Sequence, residues 1–159
     1  MKSGDYIERI RGGARAKALP ENERFSALFN LAKDSNSQVR YTAVSAISGL
    51  KAETLSDEER DNLLQLMRQL MFNDGESSVR AAAADVIAGL GLEGGFDDLT
   101  QLFNTTSDWM VKFSIVAGMG GFKGERVFGF LKDLIVGEGE IDSMILAGAL
   151  GALGDLGDE

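Results

Sequence analysis

The side chains in this sequence best suited to binding chemistry recur at intervals. Arg40, Arg80 and Lys112 each directly follow a valine, and the valines Val39, Val79 and Val111 step by 40 and 32 residues. A guanidinium or ammonium column of this kind has two uses. It can form a cationic ladder for a carboxylate-bearing ligand, or it can brace the fold through charge-assisted hydrogen bonds to turn acids and carbonyls. Bracing is favoured, because the cations follow a repeat.

Other chemistry is scarce. Histidine and cysteine are absent, which excludes disulfides, thiol catalysis, thiolate zinc sites and a Ser-His-Asp triad. Carboxylates, lysines, tyrosines and hydroxyls remain, and no enzymatic activity is expected. "GLGLEG" at 89–94 is formally G-x-G-x-x-G. A dinucleotide loop follows a strand, however, and here a helix precedes it, with Gly91 placed where helices end on a left-handed residue. In "GMGGFKGE" (118–125), Gly120 and Gly121 loosen a helix end and Gly124 opens the next helix. The acidic runs "SDEERD" (56–61) and "FDDLT" (96–100) stand at helix starts, where the helix dipole favours carboxylates. "GEGEID" (137–142) is the best metal candidate but lacks the oxygen spacing of an EF-hand. No cofactor and no metal are expected.

The elements that position these residues are helical. Apolar residues recur at spacings of three and four: Phe25, Leu28, Phe29 and Ala32 form one stripe, and Leu63, Leu66, Met67 and Leu70 another. Pro20 sits where a helix begins, and Ser56 with Glu59 has capping-box spacing. The segments "NSQVRYTAVSAISGL" (36–50), "ESSVRAAAADVIAGL" (76–90) and "DWMVKFSIVAGMGGF" (108–122) align, and "DSMILAGALGALGDLG" is a looser fourth copy with Ile145 as its anchor and Leu146 in the cation position. Partner helices fall at about 21–33, 57–72, 95–104 and 125–136. Each unit is therefore a helix with large apolar residues followed by a helix with small ones, which lets stacked pairs approach closely. The expected architecture is a single all-α domain over 1–159, with repeats at approximately 21–50, 56–90, 95–122 and 124–157 and an N-terminal helix within 1–19 that uses Tyr6, Ile7 and Ile10.

The pattern V-R-x-x-A-x-x-[AV]-I-x-G-L resembles the second helix of HEAT repeats, closest to the short type of phycobilisome bilin lyases and related cyanobacterial proteins. The resemblance spans about residues 21–157 and implies a short, right-handed α-α superhelix of armadillo type. It also implies that a turn acid and the repeat arginine hold neighbouring units together. Asp34 and Asp74 fit the acid's place, and Thr106 and Glu140 match it imperfectly. The partner it implies is a phycobiliprotein or another photosynthetic-complex subunit. The alternative it raises is a bilin lyase component or tetrapyrrole-handling chaperone, with the cations facing pigment propionates.

A partner surface is sought where the repeat does not call for large side chains. Tyr41, Trp109 and Phe113 would flank a floor of alanines on the concave face, and Asp85 would add polar specificity. Equally open is the reading in which Trp109 packs on Phe103 and Phe113 meets the adjacent repeat. The net charge of −9, with acids outnumbering bases 23 to 11 from Glu21 onward, argues against nucleic acid. No apolar run is long enough for a membrane span, and no secretory leader is recognisable at the start, so a cytoplasmic location is expected. The last helix leaves Leu146, Leu150 and Leu153 without a covering partner, which favours self-association or another chain, unless the sequence is a fragment of a longer array.

Overall fold

The computed structural model describes residues 4–16, 18–137 and 141–157. Helix α1 covers Gly4–Ala16, and four helical pairs follow it: α2 (Glu21–Leu31) with α3 (Ser37–Ile47), α4 (Asp57–Asn73) with α5 (Ser77–Gly89), α6 (Gly95–Thr105) with α7 (Trp109–Gly118), and α8 (Glu125–Val136) with α9 (Ser143–Gly157). No strand occurs among the described residues. The protein is an all-α solenoid.

Helix starts are set by local chemistry. At α4 the Ser56 N–H donates to the Glu59 carboxylate (2.8 Å) and the Glu59 N–H to the Ser56 hydroxyl (3.2 Å), so orphan donors are satisfied reciprocally. Asn36 and Asp108 cap α3 and α7, each accepting two backbone N–H groups. Pro20 is the N-cap residue of α2, just ahead of its first turn.

Helices α3, α5, α7 and α9 form an inner layer in which each touches the next, with α1 packed on the outside of α3. Helices α2, α4 and α8 lie in the outer layer, each against the inner helix of its own pair, and α6 bridges α5 and α7. Val39, Val79, Val111 and Ile145 occupy equivalent buried places between the layers, as do Ala43, Ala83, Ile115 and Ala149. One turn further on, Ile47, Ile87 and Met119 are fully buried, and truncating such a side chain to alanine costs about 2–5 kcal/mol. Their counterpart Leu153 is only half-buried, because no later pair covers it among the described residues. The longer first step is taken up by a 3-10 turn at Ala52–Thr54, after which Leu55 returns to the core. On α1 the packed positions are Gly13 and Ala16, whereas Ile7 is 40% exposed rather than buried as its spacing suggested.

Candidate functional site

The cation column is bonded into the turns. From α3, Arg40 donates through Nε and Nη2 to both oxygens of Asp74 (2.7 and 2.9 Å). Its Nη1 donates to the carbonyls of Asp34 (2.9 Å) and Ser35 (3.1 Å). Arg80 repeats the arrangement one pair later, with Nη1 on the Asp74 carbonyl (2.9 Å) and Nη2 on the Asp108 carboxylate (2.8 Å). An earlier rung, Arg9 of α1, pairs with Asp34 at 2.7 Å. The next cation departs from the series: Lys112 places its ammonium over the Phe103 ring, 5.1 Å from the centroid, and makes no ion pair among the described residues. Each arginine rung thus joins one helical element to the turn of the following pair.

Asp108 is the rung residue that the repeat register missed. The register position is Thr106, whose hydroxyl accepts the Asp108 N–H (3.1 Å), as the Asp34 and Asp74 carboxylates accept the N–H groups of Asn36 and Glu76 (2.8 and 3.0 Å). Thr106 keeps the turn-forming bond, and the charge has moved to the N-cap two residues on. An acid at the cap of an inner helix, after a threonine, is the signal that marks it. Glu140, the other imperfect match, lies outside the described residues, as does the middle of the 137–142 stretch.

The ladder shifts its carboxyl groups. Burial would raise Asp74, whose side chain is 3% exposed, but hydrogen bonds from Arg40 and the Glu76 N–H outweigh it and hold the carboxyl below its ordinary range. Asp108 is also lowered, first by the Ser77 hydroxyl, against burial, and then by Arg80 and the N–H groups of Val111 and Met110.

The glycine-rich stretches serve packing. Gly91 has φ +56° at the end of α5, and the Leu92 N–H reaches back to the Ile87 carbonyl, closing the helix with a left-handed residue. A Cβ on Gly91 would stand 2.3 Å from the Gly121 carbonyl oxygen, and one on Gly121 would stand 2.2 Å from that of Ala88. The two stretches meet backbone to backbone between neighbouring pairs, and neither precedes a strand.

Away from the outer helices, the inner layer presents Ser45 on α3, Ala82 and Asp85 on α5, and Ser114 and Ala117 on α7, while Thr42 of α3 packs on Gly13 of α1. Asp85 is half-buried, with no hydrogen-bond or ion-pair partner among the described residues, and burial pushes its carboxyl up. Trp109 is 55% exposed at the start of α7 and does not stack on Phe103, whose ring meets Phe130 edge-on at 5.5 Å. Met110 and Met144 stand exposed just before Val111 and Ile145 on adjacent inner helices and extend this apolar edge, although only the aromatic residues stood out in the sequence. Tyr41 is 39% exposed on α3. Phe113 is half-buried against α9, where a Cβ on Gly148 would lie 3.5 Å from its ring, and its register equivalent Ala81 is buried. This register position lines the seam between inner helices. Tyr41, Asp85 and Trp109 lie on three neighbouring inner helices, α3, α5 and α7.

Among the described residues no helix is long and apolar enough to cross a membrane, and no group of three metal-capable side chains gathers.

No family model and no curated protein sequence matches this chain. Among solved structures, it is similar to a designed armadillo repeat protein, YIII(Dq.V1)4CPAF, in complex with the peptide (KR)4. The likeness has a TM-score of 0.52 at 19% identity and covers 91% of this chain and 69% of the other. It shows the fold: a helical repeat solenoid similar to that of an armadillo repeat protein.

Proposed function

We propose that the chain, as one domain over 1–159, is a non-enzymatic scaffold that holds a segment of a partner protein against its inner face. The observation that supports this most is Asp85 on α5, a half-buried carboxylate with no cation of its own among the described residues. A floor of small residues admits the partner's backbone or side chains, and Asp85 offers a counter-charge for a lysine or arginine. Trp109, Met110 and Met144 supply an apolar edge for a neighbouring side chain. The (KR)4 peptide named with the designed armadillo protein has this cationic chemistry, and the net charge of −9 would draw such a segment in. Trp109, the only tryptophan, reports on the surface directly. Titration with a Lys/Arg-rich peptide should shift its emission saturably, and Asp85→Asn should weaken binding about tenfold. An unchanged affinity in Asp85→Asn would remove Asp85 from the site.

The V-R-x-x-A-x-x-[AV]-I-x-G-L resemblance supports a cytoplasmic partner from the phycobilisome, a phycobiliprotein or another photosynthetic-complex subunit. A pull-down from a phycobilisome-containing lysate, repeated with Trp109→Ala and Phe113→Ala, tests this. The pigment-handling alternative draws on Lys112, which lines a cavity of about 440 Å3 with Phe103, Ile145 and the carboxylates Asp133 and Asp142. A linear tetrapyrrole would then show a saturable change in its visible spectrum that Lys112→Ala abolishes.

A further inference from the structure

We infer that the crevice between the third and fourth helical pairs binds an arginine side chain of a partner protein, completing in trans the charged rung that Lys112 does not close. The crevice belongs to the repeat. Its counterpart between the first and second pairs is lined by Asp34, Arg40 and Asp74, and the one between the second and third by Asp74, Arg80 and Asp108. Between the third and fourth pairs the cavity of about 440 Å3 is lined by Lys112, Asp133 and Asp142, with Phe103, Leu134 and Ile145 as an apolar wall. The first two crevices each hold a guanidinium bonded to a carboxylate of the following turn. The third does not.

The acid half of that rung is built. Asp142 stands three residues before the anchor Ile145, as Asp108 stands three before Val111. Its Oδ1 accepts the Met144 N–H (2.8 Å), as Asp108 Oδ1 accepts the Met110 N–H (3.1 Å). Its carbonyl accepts the Leu146 N–H, as that of Asp108 accepts the Lys112 N–H. The other oxygen of Asp108 takes Arg80 Nη2 at 2.8 Å, whereas Asp142 pairs with no cation among the described residues. The cation in register, Lys112, holds its ammonium over the Phe103 ring. Lysine at this place leaves the rung open where arginine closes it, because a planar guanidinium reaches two acceptors at once and an ammonium acts as a point charge. Two carboxylates against one ammonium give the lining an excess of negative charge, which disfavours a pigment propionate and suits a guanidinium whose stem lies along the apolar wall. Trp109 and Met144, exposed within one turn of Lys112 and Asp142, give the residues flanking a partner's arginine an apolar surface to cover, which a free amino acid would leave bare. The site is separate from Asp85 and does not rest on the inner-face reading.

Nitrogen–proton NMR of the whole chain reads the site through the Met144 amide, which donates to Asp142. Titration with N-acetyl-arginine N-methylamide should shift that resonance saturably, with a Kd on the order of 1–10 mM. The corresponding lysine compound should bind at least about tenfold more weakly. Asp142→Asn keeps a good helix cap and should weaken binding at least about tenfold. Lys112→Arg supplies the guanidinium from within the chain. It should block the probe and raise Tm by roughly 2–4 °C, and adding Asp142→Asn should cancel that gain. No saturable shift, equal binding of the two compounds, or a Lys112→Arg variant that melts with the parent would each overturn the inference. Tighter binding of free L-arginine than of the blocked compound would make the ligand an amino acid and overturn the partner assignment. Shifts at the Asp85 amide without any at Met144 would place the guanidinium on the inner face, so this site can fail while the scaffold reading stands.

Discussion

Arg40 and Asp74 lie 34 residues apart in sequence and are joined by two parallel hydrogen bonds of 2.7 and 2.9 Å, with the Asp74 side chain almost wholly buried. The bond ties the first helical pair to the turn of the second. Removing one partner leaves a buried charge unmatched, so Arg40→Ala should lower unfolding stability by about 3 kcal/mol. Arg40→Lys keeps the charge but loses the planar fork, and should cost about 1–2 kcal/mol. Urea titration followed by far-UV circular dichroism measures both. Equal stability of Arg40→Ala and the parent would show that the ladder is ornamental.

Acid should loosen the same rungs. Asp74 and Asp108 bind their protons less readily folded than unfolded, so between the folded values and the ordinary carboxylate value the unfolded chain holds more protons and stability rises with pH. Their contribution is fully present above about pH 4 and is lost as pH falls through the folded values. Asp74→Asn and Asp108→Asn should each lower stability at neutral pH and flatten the acid limb of a Tm-against-pH curve. An unchanged limb in both variants would contradict this assignment.

Asp85 carries the opposite sign. Burial raises its carboxyl, so the folded chain holds the extra proton and stability falls as pH rises through the ordinary carboxylate range. At neutral pH Asp85→Asn should raise Tm by roughly 1–3 °C, and below about pH 3 the two proteins should melt together. A variant that gains stability while losing affinity for a basic peptide is expected of a residue kept for recognition. If Asp85→Asn melts lower than the parent at neutral pH, the carboxylate has a structural partner instead.

The contact between the α5 end and the Gly121 turn predicts a sharp contrast among glycines. Gly121→Ala places a methyl group against carbonyl oxygens of Ala88 and Gly89, and should cost about 2–4 kcal/mol. Gly151 sits within α9, and a methyl group there would meet nothing within 4 Å, so Gly151→Ala should instead gain about 0.5–1 kcal/mol. Thermal melts of the two variants, compared with the parent, should move in opposite directions.

Much of the architecture was legible in the residues. Val39, Val79 and Val111 align in sequence and occupy equivalent buried places, because a 3.6-residue period forces whatever packs at the anchor to recur at the fourth and eighth positions. The candidate surface was less legible. Adjacent positions on a helix point about 100° apart, and that difference separates a residue on the open face, such as Ala82, from its neighbour Ala81 in the seam. Phe113 falls on the seam side for this reason. Asp108 escaped because alignment by position looks for a like residue at a like place, whereas a rung needs only a carboxylate within reach of the arginine. Asp85 was noticeable as an acid among alanines, yet its lack of a partner is visible only in three dimensions.

The 3-10 turn at Ala52–Thr54 has a consequence for the chain as a covalent object. A protease cut beside the exposed Glu53 would sever the backbone without dividing any helical pair. Arg40 would lie on one fragment and Asp74 on the other, and so would the faces of α3 and α5 that bury one another. The two pieces carry the instructions for finding each other again, and a nicked molecule should go on behaving as an unbroken one.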